Sequence, residues 1–389
     1  MNHNTNRIKY ALYGLFLRGT IADLFKVFSL ESMEPIVDAI AIGLFLFGII
    51  DLVKQEVKFV GYSTIFFGFL WGISTFLHPV NTIYVKENLV QFFIYCLPFM
   101  WLGYYFIKHS IFLDVLLPVA KVKLVLALVV QTIILINPSR DIFGGDYQTA
   151  AYSIIVGLVS TYYLALRNRK KIDVFLSILG TLILMVCGSR GIFVSLIFFW
   201  AFYFISQTSN KQKIAIISSI AIVSLFFSFQ QIISPIASLA ESFGFSTHLT
   251  DALAQGAVFE DENRELLYAG FWALIWQEPM GYGIMGDRYI SYYTGIFWKP
   301  IYPHNIFLEL MVDFGYVIGI VLSLILVYSI FKNVLFSKNQ KYTMTLLVLT
   351  STSLIKLLFA SSFWIDQMFF MLVGALVARK FVSEDKISI

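Results

Sequence analysis

The sequence predicts an all-α integral membrane protein with about twelve transmembrane helices and a large extracytoplasmic loop between spans 9 and 10. Three observations predict it. Of 389 residues, 58% are hydrophobic and 13% charged, and the mean hydropathy is +0.78, well beyond the apolar share of an average soluble domain. Apolar stretches of roughly 17–25 residues, enough to cross a ~30 Å hydrocarbon core as helices, recur along the whole chain. Lysine and arginine are sorted between alternate loops, as membrane insertion requires.

Taken in order, the spans are expected at residues 8–28, 36–53, 59–77, 88–107, 121–137, 147–166, 172–187, 191–206, 213–232, 305–331, 342–360 and 363–379. The first is interrupted by Arg18, Asp23 and Lys26. Each charge costs a few kcal/mol in a span unless paired or facing a cavity, so this segment either spans or lies at the interface as an amphipathic helix. With a cytoplasmic amino terminus, about nineteen basic residues fall inside and seven outside, with Arg18 and Lys356 within spans. Both termini are therefore expected in the cytoplasm, and the parity favours counting the first segment as a span. Recurrence of apolar stretches also argues against a cleaved signal peptide. The net charge of +4 reports orientation and implies no nucleic acid. Cys96 and Cys187 lie in apolar stretches as small hydrophobes, with no disulfide framework and no metal pattern.

Residues 233–304 form the long loop, an extracytoplasmic cap on a single membrane domain covering 1–389. A loop of this length is usually functional or disordered, and its many aromatics, among them Trp272, Trp276, Tyr292, Tyr293 and Trp298, are unlike a disordered linker. They suit either an interfacial belt or stacking on sugar rings. Asp261 caps a predicted helix over 262–277, with Leu266, Leu267, Gly270, Phe271, Leu274 and Ile275 at helical spacing and Pro279 and Gly281 to stop it. That helix is expected on the membrane surface, with Arg264 in its first turn. No internal repeat, low-complexity stretch or soluble domain is visible.

Several polar residues stand out at the outer boundary. Arg190, in Cys187-Gly188-Ser189-Arg190-Gly191, is a guanidinium at a glycine-flanked turn, suited to fork onto diphosphate oxygens or to anchor the turn to headgroups. Arg264 lies in Glu262-Asn263-Arg264-Glu265, where a surface salt bridge is the plain alternative. Pro279-Met280-Gly281-Tyr282-Gly283 offers a turn whose N–H groups suit an anion, although a simple turn explains it too. His304 precedes the tenth span; it suits proton acceptance or phosphate contact, or a hydrogen-bonded interfacial role. The other histidines have no comparable setting. Glu309 and Asp313 share a helix face at i, i+4, facing either a site or a structural cation such as Arg18 or Lys356.

The order Ser189-Arg190-Gly191, Arg264 with an aliphatic helix running into Pro279-Met280-Gly281-Tyr282-Gly283, then His304-Asn305-Ile306-Phe307-Leu308-Glu309 with Gly315 and Gly319 resembles the O-antigen polymerase and ligase superfamily of bacterial polysaccharide assembly. The resemblance covers about residues 180–330 in motif. It implies an inverting, metal-independent glycosyltransferase without cofactor, acting on a polyprenyl-diphosphate-linked glycan at the outer face of the cytoplasmic (inner) membrane. It implies catalytic roles for Arg190, Arg264 and His304. Ser189, Gly281, Gly283, Arg288, Tyr302, Asn305 and Glu309 are expected to bind substrate. A polysaccharide flippase and a chain-length regulator are the implied partners, with membrane lipid. The acidic run Glu260-Asp261-Glu262 departs from that pattern; it either favours the helix start or repels an anionic glycan. Polymerisation of O-antigen, capsular or exopolysaccharide repeat units is the leading expectation, as no separate domain for a foreign acceptor is visible. Ligation to lipid A core or protein is the close alternative. A lipid-linked oligosaccharide flippase is the alternative of another class, disfavoured by the lack of repeat symmetry.

Overall fold

A computed structural model of the chain describes residues 3–137, 142, 147–187, 190–207, 212, 262–295 and 300–382. All regular elements among them are helical. Among the described residues, five helical stretches are long and apolar enough to cross a membrane: Glu31–Gln55, Val57–Leu77, Pro79–Lys108, Phe112–Ile136 and Tyr316–Phe336. The expected ninth span, 213–232, and the loop residues 233–261 and 296–299 lie outside the described residues, as does the Asp261 cap. The chain divides into two compact units, residues 1–51 with 111–260, and residues 52–110 with 261–389.

The first unit is built from α1 (His3–Val27), most of α2 (Glu34–Gln55), α6 (Phe112–Ile136), α7 (Tyr147–Asn168), α8 (Lys171–Cys187) and α9 (Arg190–Gln207). The charges that made the first segment ambiguous are compensated by neighbours. Arg18 forks onto Asp38 of α2 at 2.6 and 2.8 Å, and Lys26 stands 3.3 Å from Glu34 at the start of that helix. Lys121 of α6 pairs with the buried Asp173 of α8. Helices α6 and α7 approach closely because Gly157 has no side chain: a Cβ there would lie 2.6 Å from that of Leu124, and small residues let membrane helices pack backbone to backbone.

The second unit holds α3 (Val57–Leu77), α4 (Thr82–Gln91), α5 (Leu97–Lys108), α10 (Glu262–Gln277), α11 (Gly286–Tyr293), α12 (Ile306–Phe314), α13 (Tyr316–Phe336), α14 (Gln340–Thr352), the short α15 (Leu354–Leu357) and α16 (Gln367–Val377). Between α4 and α5 the backbone widens into one π turn over Phe92–Cys96. Pro98 follows directly; its ring cannot tolerate the carbonyl of an α turn and supplies no N–H, and a π turn relieves both problems. Gly103 of α5 and Gly374 of α16 each face the other helix's backbone. Phe92 anchors an aromatic core with Trp71, Phe370 and Trp364 at centroid distances of 5.0, 5.1 and 5.8 Å.

Three expected spans are broken where the sequence suggested continuous helices. The 305–331 span is two helices hinged at Gly315, whose φ of +82° is natural only to glycine. In the 342–360 region Ser351, Thr352 and Ser353 turn their hydroxyls back to the carbonyls of Leu347, Val348 and Leu349, which competes with the helix ladder, and α14 stops at Thr352. The 363–379 region begins with a 3-10 turn over Phe363–Ile365 before Asp366 caps α16 by accepting the Phe369 N–H at 2.8 Å.

Candidate functional site

The residues around α10, α11, α12 and the loop 279–285 lie in the second unit, whereas Arg190 belongs to the first. Leu267, Phe271, Leu274 and Ile275 of α10 bury one face against Ile290 of α11 and Leu308, Met311 and Val312 of α12. The opposite face exposes Leu266, Trp272 and Trp276. The expected surface helix is thus docked on one side and open on the other. Leu266, expected with the apolar face, is on the open side.

The Pro279–Gly283 segment is fastened by its backbone. Tyr282 and Gly283 donate their N–H groups to the carbonyls of Val312 and Asp313 at 2.8 and 2.9 Å, satisfying carbonyls left open at the end of α12. Gly281 and Gly315 sit against each other with φ of +84° and +82°, and a side chain on either would collide with backbone. Ser74 accepts the Ile284 N–H at 2.7 Å, Asn81 donates to the carbonyls of Tyr282 at 2.7 Å and Ile284 at 3.3 Å, and the His78 ring packs against Gly283. The N–H groups of Tyr282 and Gly283, read in the sequence as anion donors, are committed to this packing.

The returning chain is tied to α11 by Ser291, which accepts the Ile301 N–H and donates to its carbonyl at 3.1 Å. His304 then takes a left-handed φ of +53°, a region uncommon for non-glycine residues but enriched in histidine. Its ring lies 4.3 Å from that of Tyr302. Asn305 caps α12 by accepting the N–H of Phe307 at 3.0 Å and Leu308 at 3.4 Å, as Asn does at a helix start. Tyr302 is shared, because the Arg288 guanidinium stands 5.2 Å above its ring.

Below Asn305, Glu309 and Asp313 share a face as their spacing predicted, and both are fully buried. Their partners are neither Arg18 nor Lys356. Lys356 pairs with Asp366 at 2.9 Å. Glu309 lies 3.6 Å from Arg288, accepts the Phe363 N–H at 3.1 Å and accepts the Ser362 hydroxyl. Asp313 accepts the Trp364 indole N–H at 2.7 Å. Arg288 also contacts both oxygens of Asp287, at 2.8 and 3.0 Å. Burial pushes the Asp287 carboxyl up despite its arginine neighbour. Burial works against the charge on Arg288, but Asp287, Glu309 and Asp313 together raise its pKa still further, so it is a fixed cation.

The structure therefore brings Arg288, Tyr302, His304, Asn305 and Glu309 together, with Gly281 and Gly283 bracing the far end of α12. Arg288 spends its guanidinium on carboxylates, which makes it a clamp on α12. Ser189 lies outside the described residues, and so do the side chains of Arg190 and Arg264. Their backbones place Arg190 as the first residue of α9 and Arg264 in the first turn of α10. Sequence reasoning missed Asp287, Ser362 and Trp364, and it set His78 aside. The one signal available was the polar break Ser361-Ser362 ahead of Phe363-Trp364-Ile365-Asp366.

No curated protein and no solved structure matches the chain. Residues 175–324 match the family model described as O-Antigen ligase. That stretch holds Arg190, Arg264 and His304 and the cluster around α12 except Ser74, His78, Asn81, Ser362, Phe363 and Trp364. Over that stretch the chain, a multi-pass membrane protein, is similar to the O-antigen polymerase and ligase superfamily.

Proposed function

We propose that the protein is the polymerase of the pair: it joins polyprenyl-diphosphate-linked oligosaccharide repeat units into O-antigen, capsular or exopolysaccharide at the outer face of the bacterial cytoplasmic membrane. The observation that carries this reading is that the family match encloses three charged or titratable residues that each stand at the start of a helix. Arg190 opens α9, Arg264 lies in the first turn of α10 and His304 precedes the Asn305 cap of α12. A helix start carries partial positive charge and suits anionic oxygens.

In the proposed reaction an acceptor sugar hydroxyl attacks the anomeric carbon of the donor. The new glycosidic C–O bond forms as the bond to the diphosphate breaks, and polyprenyl diphosphate leaves with the electron pair. Attack opposite the leaving group inverts the anomeric centre. Arg190 and Arg264 neutralise charge gathering on the diphosphate, where guanidinium forks are strongest. His304 accepts the hydroxyl proton, a role imidazole suits near neutral pH. Its ring is oriented by Tyr302 and its backbone by the Asn305 cap. Arg288 and Glu309 hold that segment in place without touching the reacting atoms.

The acceptor decides between polymerase and ligase, since donor chemistry is common to both. Purified protein in lipid nanodiscs, given a polyprenyl-diphosphate-linked repeat unit alone, is expected to produce a ladder of longer glycans and free polyprenyl diphosphate. Product appearing only after lipid A core or protein is added assigns the ligase reaction instead. Translocation of the intact lipid-linked unit without a new glycosidic bond would assign a flippase, a reading the family match disfavours.

A further inference from the structure

We propose that the open face of α11, together with Tyr84 of α4, docks the sugar rings of the acceptor glycan and takes uncharged sugars in preference to uronic acids. The proposal rests on the polymerase reading above, whose acceptor has to be held while its hydroxyl is activated. Helix α11 divides its residues between two sides. Asp287, Arg288, Ile290 and Ser291 are buried, and the opposite side carries Tyr289, Tyr292 and Tyr293 at i, i+3 and i+4, followed by Thr294 and Gly295. Tyr292 and Tyr293 are 56% and 72% exposed, so their rings are accessible to a ligand. The Tyr289 and Tyr293 rings stack at 5.3 Å and 15°. The Tyr84 hydroxyl lies within electrostatic reach of Glu87, Tyr292 and Tyr289, and α11 packs on the Pro79–Asn81 turn that leads into α4. Four phenols thus share one patch.

Two contrasts select sugar over lipid as the occupant. Helix α10 also has an open face, but its residues are Leu266, Trp272 and Trp276, and Trp276 lies 5.6 Å from Tyr316, the first residue of the membrane-length helix α13. That face has the make-up of a membrane anchor. The open face of α11 carries no aliphatic side chain. With both termini cytoplasmic, α4 runs inward from the outer turn, and Tyr84 comes before the exposed Lys86 and Glu87. The tyrosines therefore stand on the water side of two charges that hydrocarbon would exclude. There, flat rings with polar tips suit the C–H faces and hydroxyls of a saccharide, and tyrosine gives that contact at little cost in side-chain entropy. The charge at the patch sets the sugar class: the Glu87 carboxylate accepts from sugar hydroxyls and repels a uronate. Lys86, one residue earlier, projects about 100° away round the helix. The patch is also joined to the site. Ser291 holds Ile301, and Arg288 stands over Tyr302, whose ring lies against that of His304. A glycan on α11 is seated on the helix that positions the proposed base.

The test uses the full chain in nanodiscs. Its probe is the host's own repeat-unit oligosaccharide, released from the lipid carrier and tagged with a fluorophore, with binding read by anisotropy. Tyr292→Ala and Tyr293→Ala are expected to keep the wild-type Tm and to weaken binding about tenfold each, the worth of an interfacial aromatic anchor. Tyr293→Trp, which keeps a ring, should bind as wild type does, and Trp276→Ala should leave glycan affinity unchanged. The same oligosaccharide with its primary hydroxyls oxidised to carboxylates should bind about fivefold more weakly, as an exposed like-charge contact costs, and Glu87→Gln should narrow that gap. No binding to wild type, undiminished binding by the folded tyrosine variants, an equal loss in Trp276→Ala, or equal affinity for the oxidised oligosaccharide overturns the proposal. The binding readout needs no turnover. Binding that depends on the tyrosines without any glycan extension keeps the docking site and sinks the polymerase reading. Extension whose acceptor KM is unaltered in the double variant Tyr292→Ala, Tyr293→Ala keeps the polymerase and sinks the docking site.

Discussion

At the scale of single residues, the proposed chemistry depends on a histidine held in an unusual backbone conformation beside a clamp of buried charge. His304 at φ +53° is well replaced by Asn, which tolerates the same region. His304→Asn is therefore expected to fold with an unchanged Tm while turnover falls about 10²- to 10⁴-fold, the usual worth of a general base; near wild-type turnover would remove His304 from the reaction. Arg288 predicts the opposite pattern. Arg288→Ala leaves Asp287 and Glu309 buried without their cation and should cost about 3–5 kcal/mol, read as a large drop in Tm in detergent. A variant as stable as wild type would show that these carboxylates have another partner. The sequence made the shared face of Glu309 and Asp313 legible, since i, i+4 spacing is local. It did not reveal their partners, because Ser362 and Trp364 lie 53 and 51 residues further on and only folding brings them close.

At the scale of elements, the helical class and the start of most helices were readable from apolar length, while the breaks were not. A hydropathy window over 305–331 averages across Gly315 and sees one span. The actual hinge exists because the Pro279–Gly283 loop occupies the end of α12, and that partner is invisible to a window. Gly315→Ala should show its importance: a methyl there meets the Pro279 carbonyl and strains a φ of +82°, so a loss of about 1–3 kcal/mol is expected, with turnover falling as α12 loses its seat. Unchanged stability and activity would mean that the hinge is not set by this contact. The same logic of close approach applies to α5 and α16. Gly103→Leu inserts a side chain where Met371 backbone already sits and should cost about 1–3 kcal/mol in thermal unfolding; a neutral result would deny the backbone contact.

At the scale of the whole molecule, basic residues and apolar helices together give a topology with testable sides. Lys170→Cys, between α7 and α8, is expected to react with an impermeant maleimide only after the cytoplasmic side is opened, and Lys86→Cys from the outside in intact spheroplasts. The reverse labelling would invert the orientation and put the active face in the cytoplasm. In the first segment, Arg18 looked like an obstacle to spanning, and Asp38 on the next helix pairs with it. The family resemblance was legible in the order of the motifs around Arg190, Arg264 and His304, and the family match over 175–324 agrees with it. The choice of acceptor was not, because it depends on surfaces that bind a second glycan rather than on the residues that activate the first.

The most direct test of the central claim is turnover by purified protein on a polyprenyl-diphosphate-linked repeat unit, comparing wild type with Arg190→Ala, Arg264→Ala and His304→Ala, each shown to be folded by its Tm. Glycan lengthening with stoichiometric release of polyprenyl diphosphate by wild type, and its loss in all three folded variants, is the predicted result. Full turnover by any folded variant would contradict that residue's assigned role, and full turnover by all three would contradict the site.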